Sequence, residues 1–318
     1  TLYNAPGLFR GIHHLEKSPL GVIPRRLPDE AIAFCSELDP IKGLRAKGGA
    51  GVRLAVRSTT RHVALQTAIV SRNDDTDLSC VVVLKDGTGR FTYQSISETE
   101  TSGRLEWALP EGNQSFEIYL PWQCEPALDT LALDDGAEAL PMPERPLLQL
   151  IGDSITEGMY ARKPETSYAN ILGDILNMNI INSGVGGLKM EPEFVRQVRN
   201  IDAENILLAF GVNDASLQKT PEQFEKDCTA ALEALTLVCR GKIYMLTPLV
   251  WPGEIRSVAY PLSRYREIIL RVAKEFPMVK LIEGELLMED KPENFFDGVH
   301  PNSSGMQKLA ANLARYFI

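Results

Sequence analysis

The stretch LLQLIGDSITEGMY, Leu147 to Tyr160, decides how this chain is read. It opens on apolar residues and runs straight into Gly152-Asp153-Ser154. A short apolar run that ends in turn residues reads as a strand buried on both faces. The polar residues then fall on a tight strand-to-helix turn. Ser154 has two readings there. It is a cap on the following helix, a common role for serine. Or it is a nucleophile, which requires a neighbouring base because a free hydroxyl is a poor one. The pattern is not G-x-S-x-G, so it does not support an α/β-hydrolase elbow.

Working outward, the same rhythm repeats. SYANILGDIL reads as a helix, NIINSG as a strand, and EPEFVRQVR as a polar stretch. NILLAFG is a further buried strand. TPEQFEKDCTAALEALTLV is an amphipathic helix with Thr220 as N-cap and Pro221 at its first position. KIYMLTP, LSRYREIILRVAKEF, VKLIEG and NSSGMQKLAANLARYFI continue as strand, helix, strand and helix. Short apolar strands alternating with helices imply an α/β fold, a parallel sheet covered on both faces. Right-handed crossovers make it doubly wound. Ligands then bind beyond the C-terminal strand ends.

Those ends carry the polar residues. Ser154 follows the first strand, Asn182 to Gly187 the second, Gly211-Val212-Asn213-Asp214 the third, and Asp297 to Pro301 the last. The chain has four histidines, His13, His14, His62 and His300, and only His300 falls in this half. Asp297 precedes it by three residues, a spacing that lets the carboxylate reach back to Nδ1 and leave Nε2 outward. Each element has an ordinary reading: cap, loop, turn, surface histidine. Their convergence on one rim favours a serine nucleophile with His300 as base and Asp297 as its orienting acid. The Ser154 N–H, a glycine N–H from GVGG and the Asn213 amide are candidate oxyanion donors.

The first part of the chain has a different rhythm. GVRLAVRS, HVALQTAIV, SCVVVLKDG, RFTYQSIS and SFEIYLPW are strand candidates separated by turns such as KDGTG and PEGNQ. They predict an antiparallel β-sandwich. ALPMPERP, Ala139 to Pro146, is an extended connector. The expected domains are residues 1–143 and 144–318.

The net charge of −9 and the sequence pI of about 5.1 argue against nucleic acid or an anionic membrane as partner. No apolar run approaches the ~20 residues of a membrane span, so no membrane insertion is expected. The chain starts at Thr1 rather than Met and shows no signal-peptide pattern. It is expected to be soluble, and cytoplasmic or, given a further N-terminal segment, secreted or periplasmic. Five scattered cysteines form no disulfide framework; Cys228 and Cys239 are expected on one helix, too far apart to bond. No zinc signature occurs, and neither metal nor cofactor is expected.

Block by block, the second half resembles the SGNH (GDSL-type) hydrolase superfamily. GDSITEG is similar to its nucleophile block, NSGVGG to its second, GVND to its third and DGVHP to its last. The resemblance implies a flavodoxin-like three-layer α/β/α domain and metal-free serine ester hydrolysis. It implies Ser154, Asp297 and His300 as catalytic residues, and Ser154, Gly187 and Asn213 as the oxyanion hole. YARKPETSYANIL and GLKMEPEF resemble a bacterial subgroup of two-domain acylhydrolases with an N-terminal β-domain, here a jelly-roll-like accessory domain. The Gly-x-Asp-Leu-Tyr signature of that β-domain is missing. Two-domain enzymes of this build include carbohydrate acetylesterases, so a small-molecule or glycan ester is the implied substrate. Trp251 is expected on the rim, stacking on a sugar or anchoring its loop. The competing functions are a lipase, thioesterase or arylesterase, and a carbohydrate-binding protein on an inactive scaffold.

Overall fold

The computed structural model describes residues 2–73, 80–96, 102–200, 202–254 and 258–317. Ser79, Ser97 and Ile318, at the ends of three predicted segments, lie outside them. The chain forms two compact units, Thr1–Arg145 with Lys163–Glu165, and Pro146–Arg162 with Thr166–Ile318.

The first unit opens with β1 (Phe9–Arg10), β2 (His14–Ser18) and β3 (Gly21–Arg25), followed by α1 (Asp29–Leu38) and α2 (Pro40–Lys47). Then come β4 (Arg53–Arg57), β5 (His62–Arg72), β6 (Cys80–Asp86) and β7 (Phe91–Ile96). β8 (Ser102–Ala108), β9 (Ser115–Tyr119), β10 (Cys124–Leu133) and β11 (Leu140–Pro141) complete it. Among the described residues they make two antiparallel sheets, β1-β4-β9-β6-β7 with β11 on β4, and β2-β3-β10-β5-β8. Alternating residues of both sheets meet in one core. Leu54, Val56, Leu84 and Ile118 come from the first sheet, and Leu65, Trp107 and Leu128 from the second. That shared core is what the two-period pattern of a sandwich requires. The connector residues Leu140 and Pro141 pair only along β4, where a proline costs no interior ladder bond.

Three local readings need correction. The β-rich half also contains α1 and α2, in which Asp39 caps α2 by accepting from the Ile41 N–H. The polar stretch EPEFVRQVR folds as α5 (Pro192–Val198), with Phe194, Val195 and Val198 on its buried side. Cys239 does not share the helix of Cys228, because α7 ends at Thr236 and the highly exposed Leu237 follows. All five cysteines are buried.

The second unit alternates strands with one or two helices. β12 (Leu147–Gly152) leads to the one-turn α3 (Ser154–Glu157), then α4 (Tyr168–Leu176) and β13 (Asn179–Gly184). After α5 come β14 (Asn205–Ala209), α6 (Val212–Ser216), α7 (Pro221–Thr236) and β15 (Ile243–Leu246). α8 (Leu262–Ala273), β16 (Val279–Ile282) and α9 (Ser303–Ala314) finish the unit. The described strands pair in parallel in the order β13-β12-β14-β15-β16. α4 packs on α9, and α7 packs on α5 and α8. This is the doubly wound flavodoxin-like arrangement. Its strand order reverses at β12, which opens a crevice at that strand's C-terminal end.

Glycine permits the tight packing at that end. A Cβ on Gly184 would sit 2.3 Å from the Glu157 backbone nitrogen and 2.6 Å from the Thr156 carbonyl carbon. Only backbone could yield, and it is the backbone of α3. Gly184→Ala is therefore expected to lower unfolding stability by about 1–3 kcal/mol through overpacking. Urea denaturation checks this, and an unchanged midpoint would contradict it.

Candidate active site

Ser154 does not cap α3. Asp153 is the cap of α3, its Oδ1 accepting from the Ile155 N–H at 3.0 Å, and Ser154 is the first helical residue. The turn of α3 closes on Gly158, whose φ of 94° suits glycine. The Ser154 hydroxyl is thus left for other partners.

Its partner is His300. Ser154 Oγ lies 2.8 Å from His300 Nε2. On the other side of the ring, Nδ1 lies 2.7 Å from Asp297 Oδ2. An ionised carboxylate can only accept, so Nδ1 carries the proton and Nε2 of the neutral ring is the acceptor facing Ser154. The second oxygen of Asp297, Oδ1, accepts from the Val299 and His300 backbone N–H groups at 3.0 and 2.8 Å. Burial alone would raise the pKa of Asp297. The hydrogen bonds from the His300 ring and backbone outweigh it and hold the pKa at about 2.

The predicted oxyanion donors occupy neighbouring strand ends. The Leu188 N–H closes a turn on the Val185 carbonyl. Gly187 has the third place in that turn with φ 77°, where glycine is favoured. The Gly187 N–H is not part of the closing bond. Glu157 fixes the same turn by accepting from the Gly186 N–H at 2.8 Å. Asn213, half-buried in α6, donates one amide hydrogen to the Leu188 carbonyl at 3.0 Å. An amide has two such hydrogens, so the other remains for a ligand.

Trp251 is half-buried and lines a small apolar cavity of about 30 Å³ with Ile155, Val212 and Val299. Those three residues neighbour Ser154, Asn213 and His300 in sequence. The Trp251 loop is tied to the Asp297 loop where the Gly253 N–H donates to the Gly298 carbonyl at 3.3 Å.

Sequence reasoning missed a supporting layer. Asp214 is fully buried, and both its oxygens lie 3.2 Å from the Met190 N–H. Burial pushes its pKa up to about 6 against the opposing pull of Lys219. Lys219 Nζ donates to the Met190 carbonyl at 2.6 Å and to Asp227 at 2.6 Å. This clamp holds the chain just beyond Gly187 against the helix that carries Asn213. Tyr160 and Phe296 were also missed; their rings stack 4.4 Å apart, and Tyr160 lies 4.9 Å from the His300 ring. The adjacency of Asp214 to Asn213 was a usable signal for the clamp. Nothing in sequence spacing pairs Tyr160 with Phe296. Among the described residues, no cluster of potential ligands could hold a metal ion. No described helix is long and apolar enough to cross a membrane.

The sequence model of the GDSL-like lipase/acylhydrolase family matches residues 150–308, which run from the end of β12 through Ser154 and His300 into α9. The class so defined is the ester hydrolases. The chain belongs to the GDSL-like lipase/acylhydrolase family. No curated protein matches the sequence. Among solved structures, a salicylyl-acyltransferase, SsfX3, from a tetracycline biosynthetic pathway is similar at TM-score 0.83 and 18% identity, covering 97% of this chain and 93% of that one. A GDSL-like lipase from Bacteroides ovatus gives 0.78 and 17%, covering 96% and 93%. A family two carbohydrate esterase from Clostridium thermocellum, solved with cellohexaose, gives 0.68 and 14%, covering 85% and 92%. At such identities the likeness is one of fold.

The buried cap gives a pH test. Burial pushes the pKa of Asp153 up to about 7, above its ordinary 3.8. The folded chain then holds that proton more tightly than the unfolded chain, so stability falls as pH rises from about 4 to about 7. Asparagine caps a helix as well as aspartate does. Asp153→Asn should therefore stabilise the fold at pH 8, by up to about 4 kcal/mol, and change little at pH 4. Urea titrations at the two pH values measure this; an equal difference at both would contradict it.

Proposed function

We propose that this chain hydrolyses short-chain acyl esters, acetyl esters above all, on a carbohydrate, through an acyl-enzyme on Ser154. The observation that carries the reading is the unbroken contact from Ser154 Oγ to His300 to Asp297, at 2.8 and 2.7 Å. His300 Nε2 takes the Ser154 proton while Oγ bonds to the ester carbonyl carbon, and the carbonyl electrons move onto its oxygen. The N–H groups of Ser154 and Gly187 and the free amide hydrogen of Asn213 receive that oxyanion. Collapse of the intermediate expels the alkoxide, which takes the proton from His300. Water then attacks the acyl carbon, giving its proton to His300, and Ser154 recovers its own as the acid leaves. Asp297, with its pKa held at about 2, stays ionised and stabilises the imidazolium throughout.

The cavity bordered by Ile155, Val212, Trp251 and Val299 is apolar, and three of these residues adjoin Ser154, Asn213 and His300 in sequence, which supports an acyl group seated against hydrocarbon. A carbohydrate as the alcohol half is supported by the fold neighbour solved with cellohexaose. An inactive binding scaffold is disfavoured, since nothing in a binding role asks for a serine hydroxyl on a carboxylate-oriented imidazole.

Purified protein is expected to hydrolyse p-nitrophenyl acetate faster than the octanoate, and to release acetate from acetylated oligosaccharides. Ser154→Ala and His300→Ala should each lower kcat by about 1000-fold or more. Undiminished turnover in either variant would overturn the assignment, and a preference for the octanoate would overturn the short-acyl reading.

A further inference from the structure

Phe296 and Tyr160 form an aromatic ledge beside His300 that the steps above leave unused. Tyr160 has φ 63°, a left-handed conformation that L residues with side chains rarely adopt. Such conformations persist where the surroundings enforce them, and they gather at functional sites. Here the result is a ring stacked on Phe296, with 4.4 Å between centroids and 13° between planes. The same ring leans on His300 at 4.9 Å and 54°. Phe296 is itself held in register with the base, because its backbone N–H donates to the His300 carbonyl at 2.8 Å. The bridge between Phe295 and Pro301 secures that pairing. Yet Phe296 is 53% exposed. Tyr160 covers one face of its ring, so the exposure lies on the other face and the edge.

Resting on the esterase reading, we infer that this ledge seats the alcohol half of the substrate, and that the alcohol is a pyranose whose flat C–H face lies on Phe296. The chemistry of the base sets the side. His300 Nε2 must return its proton to the departing alkoxide oxygen, so the alcohol half lies next to the imidazole. The ledge is the aromatic surface fixed to that imidazole. A flat apolar ring gains from lying on an aromatic face, whereas a two-carbon alcohol covers little of it. Phe296 is then a specificity-determining residue, and Tyr160 positions it.

The test compares kcat/KM for a monoacetylated methyl glucopyranoside with that for ethyl acetate. Phe296→Ala should lower the ratio of the two by about 10-fold, and Phe296→Trp should keep it within about 2-fold of the unaltered chain. Taking a ratio cancels any general disturbance of His300 or of folding. A ratio unchanged in the alanine variant, or lost equally in the tryptophan variant, would overturn the ledge while leaving the esterase reading intact. Failure of the unaltered chain to hydrolyse either ester would remove that reading and the ledge with it.

Discussion

The 2.8 Å contact between Ser154 Oγ and His300 Nε2 joins residues 146 positions apart, and much of the second unit serves to make it. Neither side chain could hold the other in place by itself. Ser154 is fixed because β12 lies between β13 and β14, and because Gly152 and Gly184 bring the backbone of α3 close to the sheet. His300 is fixed because Asp297 grips both its ring and its backbone N–H, while Asn302 caps α9 immediately afterwards. The parallel sheet brings the two ends of the unit to one rim, and the local caps set the final ångström.

Around that contact lies a layer of buried carboxylates, each held by backbone donors. Asp153 caps α3, Glu157 accepts from Gly186, and Asp214 accepts from Met190. Unpaired, such groups would be costly to bury. Here each one fixes a loop that carries a candidate catalytic group. Lys219 completes the set by joining Asp214, Asp227 and the Met190 carbonyl. The hydrogen bonds of these buried carboxyl groups thus position the loops.

Much of this was legible in the sequence. The alternation of apolar runs with helices gave the parallel sheet, and the scarcity of histidine singled out His300. The spacing of Asp297 predicted its bond to Nδ1. What escaped was information that periodicity does not carry. Asp153 displaced Ser154 as the cap, and two capping residues side by side cannot be ranked without coordinates. β10 was missed because Pro126 interrupts it, and the strand absorbs that proline at an irregularity in its pairing with β5. α1 was missed because its apolar residues run consecutively from Ala31 to Cys35 and so trace no helical stripe in the sequence, although only Ala31, Ile32 and Cys35 of that run are buried. Tyr160 and Phe296 meet through a left-handed backbone turn that no spacing rule predicts.

Among the described serines, Ser154 alone lies against a carboxylate-oriented imidazole, the arrangement that would activate it. A fluorophosphonate reacts with a serine whose neighbouring base removes its proton, and it forms a stable adduct there. Incubation followed by peptide mass mapping should find one stoichiometric adduct, on Ser154, absent when His300 is replaced by alanine. No adduct, or one on another residue, would contradict the account.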